Sequence, residues 1–175
     1  MQKHNGMRPQ DIIILIKILT FQDDSWTLVD ISQALDISTA EVSGALERSR
    51  IAGLLNQSKR KVNKLALREF LISGLKYVFP AQIGPAVRGI ATSHSASPIK
   101  EHISEGKEIY VWSYSRGTRR GSSVLPLYKT VPKIVGSQPD LYEYLVIIDT
   151  LRIGRVREIE VAISELDKKL NVYGE

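Results

Sequence analysis

The sequence predicts an α+β chain that is mainly helical, and three observations predict it. Ile31, Ala34 and Leu35 fall at helical spacing, and after a break at Asp36-Ile37 the same spacing resumes at Val42, Ala45 and Leu46. Near the end, Leu141, Tyr144, Leu145, Ile148 and Leu151 form one stripe, and Val156, Ile159, Ile163, Leu166 and Leu170 form another. Between them, Ile109-Tyr110-Val111-Trp112 is β-branched and aromatic throughout, as a strand requires.

Composition bounds the rest. A chain of 175 residues with 43% hydrophobic content can build a real core, as one domain or a small one with an appendage. It has no cysteine, so it can form neither a disulfide framework nor a thiolate metal site, which suits a cytoplasmic location. The opening MQKHNGMRPQ has no long apolar region, so no secretory signal is indicated, and the run Ile12 to Ile16 is too short to span a bilayer. We expect no membrane partner and no cofactor.

Taken in order, residues 1–7 read as a frayed tail. Arg8 to about Phe21 reads as the first helix, with Pro9 in its first turn. Its isoleucines and leucines surround it, so it must be buried on more than one side, centrally or under a second subunit. Gln22 to Ser25 is a polar loop, and Trp26 packs back on the core. Thr27 to Leu35 contains the next helix. Ser38 starts another that runs to Ala52, and Glu41 three residues on completes a capping-box pattern. Gly53 supplies a left-handed stop. Leu54-Leu55 and Lys61-Val62 are two short strands around a cationic loop. Asn63 caps a helix from Lys64 to about Tyr77, ended by Pro80.

From Ala81 to Ser97 the chain is small, Gly/Ala/Ser-rich and aperiodic, which predicts a long loop or extended arm. Ser97-Pro98 opens a short helix through about Ile103. The strand Ile109–Trp112 leads to an arginine-bearing turn, Ser115 to Gly121, and Ser122 to Leu127 returns as its hairpin partner. Val131 to Val135 is a short helix. Asp140, with Glu143, starts the first of the two C-terminal helices, and Gly154 separates them. These elements divide the chain into domains at 1–78 and 79–175. Two consecutive amphipathic helices suit dimerisation or partner binding.

The order Ala34, Ile37, Ser38, Val42, Leu46 and Ala52-Gly53-Leu54 resembles the winged helix-turn-helix of bacterial transcription regulators, including the MarR-like ones. Gly44 and Ser49 depart from it, where such helices often carry a base-reading polar residue and a core leucine. The runs GLKYVFPAQIGPAVRGIATSHSA, LPLYKTVPKIV and DLYEYLVIIDTLRIGRVRE are similar to a poorly characterised family of bacterial winged-helix proteins. Some of its members look like antitoxins encoded beside nucleotidyltransferase-like toxins. The resemblances imply an N-terminal winged helix-turn-helix with a C-terminal α+β, largely helical appendage. They also imply double-stranded DNA as partner.

Charge placement agrees with that expectation. From Arg48 to Arg68 lie seven of the 24 basic residues (Arg48, Arg50, Lys59, Arg60, Lys61, Lys64, Arg68) and none of the 19 acidic ones. A duplex backbone would run along such a segment. Facing away from Val42 and Leu46, the second helix presents Thr39, Ala40, Ser43, Glu47 and Arg48. Ser38, Thr39 and Ser43 offer hydrogen bonds, and Ala40 offers contact to a thymine methyl. Arg48, Arg50, Lys59, Arg60, Lys61 and Lys64 are expected on phosphates.

Two further charge clusters stand apart, at the Arg116–Arg120 turn and at Arg152, Arg155 and Arg157. Three functions compete: a dimeric DNA-binding repressor, an antitoxin that masks a toxin through its second half and autorepresses its operon, and an enzyme. The three histidines, His4, His94 and His102, are scattered, and no nucleophile, paired-carboxylate or metal-ligand spacing stands out, so we expect no enzymatic activity.

Overall fold

The computed structural model describes residues 6–104 and 106–174 and is α+β, mainly helical. It separates into two compact units, one running to Leu67 and one from Arg68 onward. The expected boundary at residue 78 therefore moves back into a helix. The reason is packing: the end of that helix buries Leu71 and Leu75 and packs with a C-terminal helix, so it belongs to the second unit.

In the first unit, α1 (Pro9–Leu19) begins after Arg8, whose amide donates to the Asp11 carboxylate at 2.9 Å. Ile12 through Ile16 are all fully buried within one copy of the chain, so α1 needs no second subunit to cover it. α2 (Leu28–Leu35) starts on a complete capping box between Thr27 and Asp30. It ends at Asp36, whose φ of 54° turns the chain sharply into α3 (Thr39–Ile51). Ser38 caps α3 by accepting the Glu41 amide. Val42, Ala45, Leu46 and Ser49 face inward. Gly53, at φ +77°, is the expected left-handed stop, and the amides of Leu54 and Leu55 both close back on the Ser49 carbonyl.

The two expected strands after α3 reduce to a single antiparallel bridge, Leu55 to Val62. The Asn56 carboxamide is the reason. Its oxygen accepts the amides of Arg60 and Lys61 and the Ser58 hydroxyl, closing the loop before a ladder can extend. Asn63 then caps α4 (Lys64–Glu69), accepting the Ala66 amide. A wide turn, Phe70–Gly74, joins α4 to α5 (Leu75–Val78).

The second unit corrects the reading of the Gly/Ala/Ser-rich stretch. Much of it is a nine-residue strand, β1 (Ile83–Ala91), paired with both β2 (Tyr110–Ser113) and β3 (Arg119–Val124). β2 and β3 do not form the expected hairpin. Each is antiparallel to β1, and they lie parallel to each other, closing a three-stranded barrel. So small a barrel has no room for side chains where strands cross. A Cβ on Gly89 would lie 1.9 Å from the Trp112 carbonyl oxygen, and one on Gly117 would lie 2.2 Å from the Gly89 backbone. The residues that look like a loop in sequence are what closure requires.

α6 (Val131–Ile134) is short, as expected, and the segment after Pro98 is a single 3₁₀ turn, Ile99–Glu101. α7 (Pro139–Ile153) starts with proline at its first position and not on an Asp140 cap. It is buried along almost its whole length from Leu141 to Leu151. α8 (Val156–Leu170) buries Ala162, Leu166 and Leu170 and packs on α7. Val156, expected inward, is 77% exposed. The apolar stripes of both helices are thus largely used within the unit. Asp149 anchors α7. Its fully buried carboxylate accepts hydrogen bonds from the Thr92 hydroxyl (2.8 Å), the Trp112 indole (2.6 Å) and Arg152 (2.9 Å).

Candidate nucleic-acid interface

The outer face of α3 is open. Ser38, Thr39, Ala40, Glu41 and Ser43 are exposed, while Val42, Ala45 and Leu46 on the opposite side are buried. Their positions follow from local chemistry: the Ser38 cap fixes where the helix starts, and the 3.6-residue period then sends 39, 40 and 43 outward. The unpaired amides and the dipole at this end favour an anion. A narrow groove of about 240 Å³ runs beside the helix, lined by residues that include Trp26, Ser43, Lys59 and Arg60.

The basic residues are less free than their sequence suggests. Arg48 is not on the outer face. Its guanidinium makes two hydrogen bonds to Asp11, at 2.8 and 2.7 Å, and its side chain is only 14% exposed. Gly44, one turn earlier, leaves room for it: a Cβ there would sit 3.2 Å from an Arg48 nitrogen, close enough to push that side chain by a few tenths of an ångström.

Arg50 and Lys59 both hold Glu47, at 2.6 Å each, and Arg50 also reaches Gln57. Hydrogen bonds from Arg50 first, and then from Lys59, draw the Glu47 carboxyl down to about 2. Lys59 itself sits at φ +58°. Arg60 donates to the Trp26 carbonyl at 2.6 Å and stacks 4.8 Å from that indole ring, locking the loop to the buried tryptophan. Lys61 is 3.3 Å from Asp24, with both side chains mostly in water, so this pair holds it weakly. Lys64 is exposed at the start of α4.

The carboxylates missing from the Arg48–Arg68 segment are therefore supplied from elsewhere in the chain: Asp11, Asp24, Glu47 and, for Arg68, Asp167. What remains outward is a polar helix face, Ser38, Thr39, Ala40, Glu41 and Ser43, with Lys61 and Lys64 as the least engaged cations. Only Glu47 adjoined the segment in sequence. Asp11 and Asp24 are brought in by the fold.

The other clusters separate. Arg152 is used on Asp149 and on the carbonyls of Phe79, Pro80 and Leu125, while Arg155 is 83% exposed and 3.8 Å from Glu108. Arg152, Arg155 and Arg157 therefore do not converge on one anion. His94 is buried, with Nε2 against the Glu108 carbonyl at 2.8 Å, and His102 lies 3.2 Å from Glu165. His4 lies outside the described residues. Among the described residues no group of three or more His, Asp or Glu is arranged to hold a metal, and no helix is long and apolar enough to cross a membrane.

At a significant level the chain matches no family model, no curated protein and no solved structure.

Proposed function

We propose that the first unit is a winged helix-turn-helix that binds double-stranded DNA, and that the protein is a transcription regulator. One observation carries this reading: α3 has a buried apolar face and, at the N-terminal end capped by Ser38, an exposed face that offers Thr39, Ala40 and Ser43 beside a single carboxylate, Glu41. In that motif the recognition helix enters the major groove by this end. Thr39 and Ser43 then read base edges, Ala40 meets a thymine methyl, and Ser38 with the helix N-terminus meets a phosphate. Lys61 and Lys64 contact the backbone. Arg48, Arg50 and Arg60 hold the helix and loop in place, and Lys59 braces the same loop. Two copies on half-sites about one helical turn apart would read a palindrome.

Footprinting and gel shifts against the DNA upstream of the protein's own gene test the proposal. We expect a protected site whose affinity falls steeply with salt. Neutralising Lys61 and Lys64 should make the log–log salt slope shallower by about 1 per lysine, on all sequences alike. Thr39→Ala with Ser43→Ala should lose preference for the site and keep non-specific binding. No DNA binding at low salt, or full site preference in the Thr39/Ser43 variant, would overturn it.

A further inference from the structure

We propose that the barrel of the second unit carries a binding site for the linked phosphate groups of a small di- or triphosphate ligand. The site is a cleft of about 430 Å³ lined by Arg88, Gly117, Thr118, Arg119 and Arg120. Arg88 on β1 and Arg120 on β3 are directly opposed in the antiparallel register. Like charges in that position repel and weaken a sheet. Both side chains are exposed, and among the described residues neither makes an ion pair. Arg116, also exposed and without a carboxylate partner among the described residues, stands in the adjoining turn.

Backbone hydrogen bonds hold the turn beside Arg88. The Tyr114 amide donates to the Arg88 carbonyl, the Gly117 amide donates to the Tyr114 carbonyl, and Gly117 crosses against Gly89 where no side chain fits. A tight crossing thus holds the Arg88 and Arg120 guanidinium groups, without a carboxylate partner among the described residues, beside one concavity. Guanidinium forks match phosphate oxygens two at a time.

The volume is that of a small-molecule site. Arg155 and Arg157, exposed at the start of α8, do not line the cleft, and neither does the exposed Lys129. A long polyanion draws its affinity from a track of many phosphate contacts, whereas a di- or triphosphate concentrates its charge where these arginines meet. This inference does not depend on the DNA-binding proposal, since its residues belong to the second unit alone.

Calorimetric titration of the full chain with pyrophosphate and with ADP tests it, alongside inorganic phosphate and a DNA oligonucleotide without terminal phosphates. Saturable binding of pyrophosphate and ADP, tighter than of inorganic phosphate, is expected. Arg88→Ala with Arg120→Ala should weaken it at least tenfold, and Arg157→Ala should not. Pyrophosphate should raise the Tm of the parent protein and not that of the double variant. Relief of the cross-strand repulsion should leave that variant folded. Were it to unfold, the single variant Arg120→Gln takes its place, with the same weakening expected. Absence of pyrophosphate and ADP binding, equal binding by parent and variant, or binding at this cleft by the oligonucleotide alone would each overturn the proposal.

Discussion

Replacing Arg48 with methionine separates a structural role from a DNA-contacting one. The substitution keeps most of the aliphatic volume under α3 and removes the guanidinium. Asp11 is left fully buried with one remaining hydrogen bond, from the Arg8 amide. Breaking a buried pair from one side costs about 3–5 kcal/mol, because the surviving charge stays desolvated. Arg48 retains 14% exposure, so water can reach the gap, and the lower end, about 3 kcal/mol, is expected. That is a large part of the roughly 5–15 kcal/mol that holds a typical domain together. Denaturant titration followed by far-UV circular dichroism reads it as a lower midpoint. Adding Asp11→Leu should recover much of the loss, a coupling of about 2 kcal/mol between touching residues. Gel shifts on the folded fraction supply the second readout. An unchanged midpoint together with lost DNA binding would refute the assignment and return Arg48 to the phosphate-contacting set.

Ser49→Ala should be neutral or stabilising by up to about 1 kcal/mol, because the buried Ser49 hydroxyl has no hydrogen-bond partner among the described residues; a clear loss of stability would show that the hydroxyl is satisfied. Gly89→Ala should cost more than about 3 kcal/mol, since its Cβ would lie inside the Trp112 carbonyl oxygen; near-UV dichroism of the buried tryptophan should collapse with it. Glu47→Gln should release Arg50 and Lys59, tighten non-specific DNA binding and steepen its salt dependence; weaker binding would place Glu47 in a positive role. The same variant tests a pH effect. The Glu47 carboxyl is lowered from 4.5 to about 2, so the stability it contributes is complete above 4.5 and is lost as pH falls through about 2. Acid unfolding of Glu47→Gln should lack that component.

Helices were the most legible part of the chain. Their signals are local: a serine cap at 38, an asparagine cap at 63 and apolar residues three and four apart place α1 to α3, the start of α4, α7 and α8 within a few residues of where they lie. The strand Tyr110–Ser113 was legible for the same reason, its side chains being β-formers in a row. β1 was not. Its glycines, alanines and proline carry no strand signal, because what makes Ile83–Ala91 a strand is the close approach of two others. At the candidate interface the outward polar face of α3 was legible from period alone. Arg48 was misread because its partner lies 37 residues away, on a different helix.

The amino-acid order by itself determined where helices start and stop, which faces are apolar and that cationic residues crowd the segment after Ser38. Those properties depend on neighbours within a turn or two, and sequence distance measures them. Only the tertiary structure decided which charges remain available and which strands meet. Asp11 and Asp24 reach Arg48 and Lys61 across long stretches of chain, and Arg88 finds Arg120 across a sheet. Coulomb attraction, repulsion and steric exclusion act over a few ångströms of space, and folding alone sets those separations.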